Sequence, residues 1–166
     1  MRADDDIDSV WDRPGFLVRR LHQISVAIFA DEMGDLGITP VQFGTLSVIA
    51  ANPGIDQAAL GAALGIDRAN VADVVLRLVT HGYVVRQPSE TDRRVKKLFL
   101  TPPGEEVRGR SLAKLKHVQS RLLQPLDPHE RENFVNLLSR LIDENNALSR
   151  APLVVKRQPG SAAAMG

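Results

Sequence analysis

The sequence predicts a mainly α-helical chain with one small β-hairpin, arranged as a winged helix–turn–helix with a helical dimerisation region. Three observations carry that prediction. Two short, capped helix patterns meet at a glycine turn around Gly65. Two runs of β-formers separated by a polar loop follow at once. Amphipathic helix patterns then bracket this centre on both sides.

Taken in order, residues 1–14 read as a flexible acidic leader. A first helix is expected from about Phe16 to Met33, with Leu17, Leu21, Ile24 and Ile28 at helical spacing, ended by Gly34 and Gly37. Thr39-Pro40-Val41-Gln42 is a compact helix start. Thr39 caps, Pro40 takes the first turn, and Gln42 reaches back as the capping-box partner. This second helix runs to about Ala51 and stops at Asn52-Pro53-Gly54. Asp56 caps a third, Gln57 to Leu64, and Asp67 caps a fourth, to about Thr80. Strands are expected at Tyr83–Arg86 and Val95–Leu100, around the loop Pro88 to Arg94. Thr101-Pro102 opens a fifth helix to about Leu123, carrying Leu112, Leu115, Val118 and Leu122. Asp127-Pro128-His129-Glu130 opens a sixth to about Leu148, carrying Phe134, Leu137, Leu138 and Leu141.

Residues 36–101 thus form the predicted DNA-binding domain. Residues 15–35 and 102–148 form the dimerisation region, because their apolar stripes exceed what so small a centre can cover. Residues 149–166, with Pro, Gly, Ser and Ala, read as a disordered tail.

Composition narrows the chemistry. The chain has 166 residues and no cysteine, so disulfides, thiolate nucleophiles and cysteine-ligated zinc are excluded. The four histidines, His22, His81, His117 and His129, show no metal-binding spacing. No phosphate-binding glycine loop or nucleophile elbow is present, so neither an enzyme, a metal site nor a cofactor is expected. The acidic start is unlike a signal peptide, and no apolar run approaches the ~20 residues of a spanning helix. A soluble cytoplasmic protein is the expectation. Net charge is only +1, but it is segregated. Five aspartates lie in the first twelve residues. Arg86, Arg93, Arg94, Lys96 and Lys97 cluster in the hairpin against Glu90 and Asp92.

The candidate DNA-binding residues follow. On the fourth helix, Val71, Val74, Val75 and Leu78 face inward, which turns Ala69, Asn70, Ala72, Asp73, Leu76 and Arg77 outward. Small residues near the helix start let it sit deep in a major groove. Arg68 and Asn70 suit phosphates or base edges. Asp73 suits either of two roles, orienting Arg77 at i+4 or accepting from a cytosine amine. At the hairpin tip stand Asp92, Arg93 and Arg94. Their spacing predicts that Asp92 holds the Arg94 guanidinium in a bidentate pair and pre-aims it at a minor groove, whose narrow A·T-rich form concentrates negative potential.

The stretch Ile66-Asp67-Arg68-Ala69-Asn70-Val71 through His81-Gly82-Tyr83-Val84-Val85-Arg86, then Asp92-Arg93-Arg94, then Leu98-Phe99-Leu100-Thr101-Pro102-Pro103-Gly104, resembles the MarR family. The resemblance covers about Phe16 to Leu148. It implies a homodimer joined through its terminal helices, binding a pseudo-palindromic double-stranded DNA operator, usually as a repressor released by a small ligand. It assigns wing roles to Asp92 and Arg94 and places Arg68, Asn70 and Arg77 on the recognition helix. Ala69 and Asp73 depart from the family pattern. Phe16 to Gln23, followed by Thr39-Pro40-Val41-Gln42-Phe43, is similar to the branch controlling aromatic-acid catabolism. That likeness implies an aromatic carboxylate or its coenzyme A thioester as effector. Arg20 and His22 edge the apolar face of the first helix and Ser25 lies within it. With Phe43 they are the candidate ligand residues. The competing reading is a winged-helix module that docks proteins rather than DNA.

Overall fold

The computed structural model describes residues 10–154. Residues 1–9 of the acidic leader and 155–166 of the tail lie outside that range. Six α-helices and a three-stranded antiparallel sheet follow in the order α1 (Pro14–Glu32), α2 (Pro40–Ala51), β1 (Ile55–Asp56), α3 (Gln57–Leu64), α4 (Arg68–Thr80), β2 (Val84–Pro88), β3 (Lys96–Leu100), α5 (Pro102–Leu123) and α6 (Pro128–Asn145).

The helix starts obey their caps. Thr39 Oγ1 accepts from the Gln42 N–H at 3.3 Å, and Gln42 Oε1 accepts from the Thr39 N–H at 2.9 Å. Asp127 and Glu130 form the same reciprocal box at the start of α6. Each box satisfies two backbone donors that the first turn of a helix leaves without a partner.

The sheet is larger than the expected hairpin. Its order is β1-β3-β2, with Ile55 opposite Leu98 and Val84 opposite Leu100. Two residues are too few to show a period, and Asp56 serves at once as a strand residue and as the cap of α3, accepting from the Ala59 N–H at 2.9 Å. The strand therefore hides inside a helix-start signal.

One core joins α2, α3, α4 and the sheet through Leu46, Ile49, Leu60, Val71, Val75, Leu78, Val84 and Leu98. Gly61 lets α3 and α4 meet, since a Cβ there would stand 2.9 Å from the Ile66 carbonyl oxygen and 3.1 Å from a Val71 methyl. A second core lies under α1 and α5, made of Phe29, Met33, Leu36, Ile38 and Val118.

The join between β3 and α5 is a single residue, Thr101. Its N–H donates to the Tyr83 carbonyl at 3.0 Å and its hydroxyl to the Gly82 carbonyl at 2.5 Å, while that same hydroxyl accepts from the Gly104 N–H. Gly104 is buried there, and the close approach requires glycine, since a Cβ would lie only 2.0 Å from the Tyr83 oxygen. The threonine and glycine of the Leu100-Thr101-Pro102-Pro103-Gly104 run thus form one clasp.

Two boundaries differ from expectation. Val10 to Arg13, inside the predicted flexible leader, form a turn, with Trp11 edge-on to Phe16 at 4.7 Å. Residues 149–154, inside the predicted disordered tail, are tied to α3. The Val154 N–H donates to the Ala62 carbonyl at 3.1 Å, and the Asn146 side-chain amide brackets both backbone groups of Leu153 at 2.8 Å. Composition signals low hydrophobicity but not such backbone docking.

Candidate nucleic-acid interface

The exposed face of α4 is built from its cap outward. Asp67 Oδ1 accepts from the N–H groups of Ala69 and Asn70 at 3.1 and 3.0 Å, and Oδ2 accepts from the Asn70 side-chain amide at 2.6 Å. The Asn70 backbone and side-chain donors hold the Asp67 carboxyl below the usual carboxylate range, and the Ala69 N–H and the charge of Arg150 add to this. Asn70 is consequently held against its own cap, with Arg68 exposed beside it.

One turn on, Arg77 Nε donates to Asp73 Oδ2 at 3.0 Å, with both side chains more than half exposed. That is the orienting geometry, one of the two roles open to Asp73 from sequence. In water such a pair contributes little stability, so what it supplies is the direction of the guanidinium. Ala69, Ala72 and Leu76 complete the outward row, opposite buried Val71, Val75 and Leu78.

The wing is the loop between β2 and β3. Its neck closes with the Ser89 N–H donating to the Val95 carbonyl at 2.9 Å. At the tip the expected Asp92–Arg94 guanidinium pair is absent among the described residues. Instead Asp92 Oδ1 accepts from the backbone N–H of Arg94 at 3.0 Å, and the Asp92 carbonyl accepts from the Val95 N–H at 2.9 Å. An aspartate carboxylate readily accepts from the i+2 N–H and closes a turn of this kind. Asp92 therefore folds the tip, and the side chains of Arg93 and Arg94 extend from it exposed.

The candidate ligand residues are spread more widely. Phe43 of α2 is half-buried against Phe29 of α1, with ring centroids 6.3 Å apart. Ser25 is half-buried one turn before Phe29. Arg20 is exposed and bonds along its own helix to Gln23 at 3.3 Å, and His22 is exposed. Ser25 and Phe43 thus lie toward the α1–α2 contact, while Arg20 and His22 face outward in the single chain.

A charged seam missed by sequence reasoning ties α1, and Asp35 just after it, to α5. Arg121 Nη1 lies 2.5 Å from Asp31 and 2.6 Å from Glu32, Arg110 bonds Asp35 at 3.0 Å, and Lys114 bonds both Asp35 and the Glu32 carbonyl. The Lys114 ammonium holds the Asp35 carboxyl below its usual range, and Asp31 and then Glu32 raise Arg121 above its own. These partners lie 75 to 90 residues apart in the chain, beyond any local pattern. Among the described residues no cluster of three or more His, Asp or Glu side chains could hold a metal ion, and no helix is long and apolar enough to cross a membrane.

Comparison with known proteins gives this architecture its place. Residues 36–95 match the model of the MarR family. The chain is 37% identical over 110 residues, 66% of each chain, to a protein assigned to the regulation of the hcr operon in Thauera aromatica. It superposes with TM-score 0.75 on the transcriptional repressor CouR bound to a 23-mer DNA duplex, at 26% identity, covering 84% of this chain and 99% of that one. It also superposes with TM-score 0.75 on BpsR of Bordetella bronchiseptica, whose DNA binding is regulated by 6-hydroxynicotinic acid, at 28% identity over 80% of this chain and 95% of that one. The chain belongs to the MarR family of transcriptional regulators.

Proposed function

We propose that this regulator binds a pseudo-palindromic operator as a homodimer and acts as a repressor released by an aromatic carboxylate or its coenzyme A thioester. The observation that carries the DNA-reading part is a pair of exposed elements packed on one core. The outward row of α4, with Arg68, Asn70, Asp73 and Arg77, and the wing tip, with Arg93 and Arg94, form two exposed donor-rich edges on one rigid core. A recognition helix in the major groove and a wing arginine in the adjoining minor groove use those edges. The dimer is supported by apolar side chains left in water on the outer helices. Leu17 of α1, Leu112 of α5 and Leu141 of α6 are 51%, 52% and 58% exposed, and no residue of α6 is buried.

The effector class is supported by the half-buried Phe29–Phe43 pair with Ser25 nearby, and by the aromatic acid that acts on BpsR. Ser25 is the donor nearest that pair, and Arg20 and His22, which face outward in the single chain, are the candidates for the cation that a carboxylate needs. The test is operator selection from a randomised duplex pool, followed by calorimetry with benzoates, cinnamates, pyridine carboxylates and their thioesters. Steep weakening of DNA binding by salt is expected. Salt-insensitive binding, or failure to retain any duplex, would favour a protein-docking module instead. If no aromatic acid binds, the effector assignment falls while the DNA-binding reading stands.

A further inference from the structure

After α6 and a 3-10 turn at Asn146–Leu148, the chain does not leave the molecule. It runs back across the helix–turn–helix. Leu153 and the Ala151 carbonyl stand over Gly65, where φ is +64° and a Cβ would meet the Leu153 side chain at 3.2 Å and the Ala151 oxygen at 3.3 Å. The Asn146 bracket and the Val154–Ala62 bond fix both ends of the strap.

Because the Ala151 carbonyl stands over Gly65, this path brings the preceding residue, Arg150, exposed, to the α3–α4 turn, and its charge acts on the capping carboxylate of Asp67 two residues beyond Gly65. In a helix–turn–helix the first helix crosses the DNA backbone while the second enters the groove. The turn between them therefore borders the phosphate wall. A carboxylate cap there is repelled by phosphate, and Arg150 offsets it. The strap from Asn146 to Val154 contains Arg150 and no Asp or Glu, so its charged side chain at this edge is a cation.

We propose that the strap carries a third DNA-backbone contact, in which Arg150, seated beside the α3–α4 turn, pairs with an operator phosphate flanking the recognition helix. This rests on the DNA-binding reading above. It makes the end of the dimerisation helix part of the DNA-reading surface of its own protomer.

The experiment is a salt titration of binding between 50 and 200 mM, using a duplex selected by the wild-type protein and an unrelated duplex of equal length. Arg150→Gln should flatten the slope of log K against log salt by about two, one phosphate per protomer, and weaken both duplexes by a similar factor. Arg150→Lys should keep the wild-type slope. Leu153→Ser, which frees the strap, should weaken binding in the wild type but add little to Arg150→Gln. An unchanged slope and affinity in Arg150→Gln overturns the inference, as does a lower melting temperature with the slope intact, which would make Arg150 only a partner of Asp67. A wild-type protein with no salt-dependent DNA binding would sink the DNA-binding reading itself, a result distinguishable from either.

Discussion

Gly104→Ala adds one methyl group at the clasp between β3 and α5. The new Cβ would lie 2.0 Å from the Tyr83 carbonyl oxygen and would have to reach 3.4 Å for ordinary contact, a displacement of about 1.4 Å. Both partners are backbone, so no rotamer change relieves the clash. Overpacking of this kind destabilises by roughly 1–3 kcal/mol. Moving Tyr83 also strains the Thr101 N–H bond to the same oxygen, worth about 1 kcal/mol. The preference of helices for alanine over glycine offsets about 1 kcal/mol. The net expectation is a loss of roughly 1–3 kcal/mol, or about 2–12 °C in Tm for a chain of this size. The measurement is urea unfolding followed by far-ultraviolet circular dichroism at fixed protein concentration. Gly109→Ala serves as the internal control, because it lies on the same helix with nothing within 4 Å of the added methyl, and it should be neutral or slightly stabilising. Equal midpoints for the two variants would refute the clasp.

Arg94→Ala should weaken operator binding by ~1–3 kcal/mol per protomer at fixed salt, and unchanged affinity would remove the wing from the interface. Asp92→Ala should loosen the tip and weaken binding less, whereas Asp92→Asn, which keeps a side-chain acceptor for the Arg94 N–H, should retain most of it; equal losses in the two would argue against a turn-forming role. Acid should destabilise the fold. Asp35, Asp67 and Glu105 all have folded-state pKa values below their ordinary ones, so in the acid range the unfolded chain binds more protons. Their contribution is complete above the ordinary carboxylate value near pH 4 and is lost as pH falls through the lower folded values. Urea midpoints that do not change between pH 6 and pH 3 would contradict this. Leu141→Asp on α6 should yield a monomer in sedimentation at micromolar concentration, against twice the chain mass for the wild type; a monomeric wild type would end the dimer reading.

The helices were legible because their signals are local. A cap, a proline in the first turn and a glycine stop act within four residues, and both capping boxes formed as the sequence implies. The inward face of α4 followed from periodicity alone. At the wing, the spacing of Asp92 and Arg94 was informative but its chemistry was not, since the same two-residue separation serves a side-chain pair or a backbone turn. Strand β1 escaped because two residues carry no alternation. The Arg110–Asp35 and Arg121–Asp31 pairs and the strap from Asn146 to Ala62 join residues far apart in the chain, and nothing local announces them.

The one-residue join at Thr101 has a mechanical consequence. With no slack between β3 and α5, the hairpin behaves as a pointer mounted on the long helix. The extended part of the pointer, β3 from Leu100 back to Lys96, is about 13 Å long at the rise of an extended strand. A rotation of α5 by ~5° therefore moves the far end of β3 through about 1 Å if the hairpin moves rigidly with it, and the turn beyond it somewhat more. The hinge itself needs no flexible loop, because the gain comes from leverage. Any event that tilts α5, whether at its contact with α1 or at the far end of the helix, is magnified at Arg94.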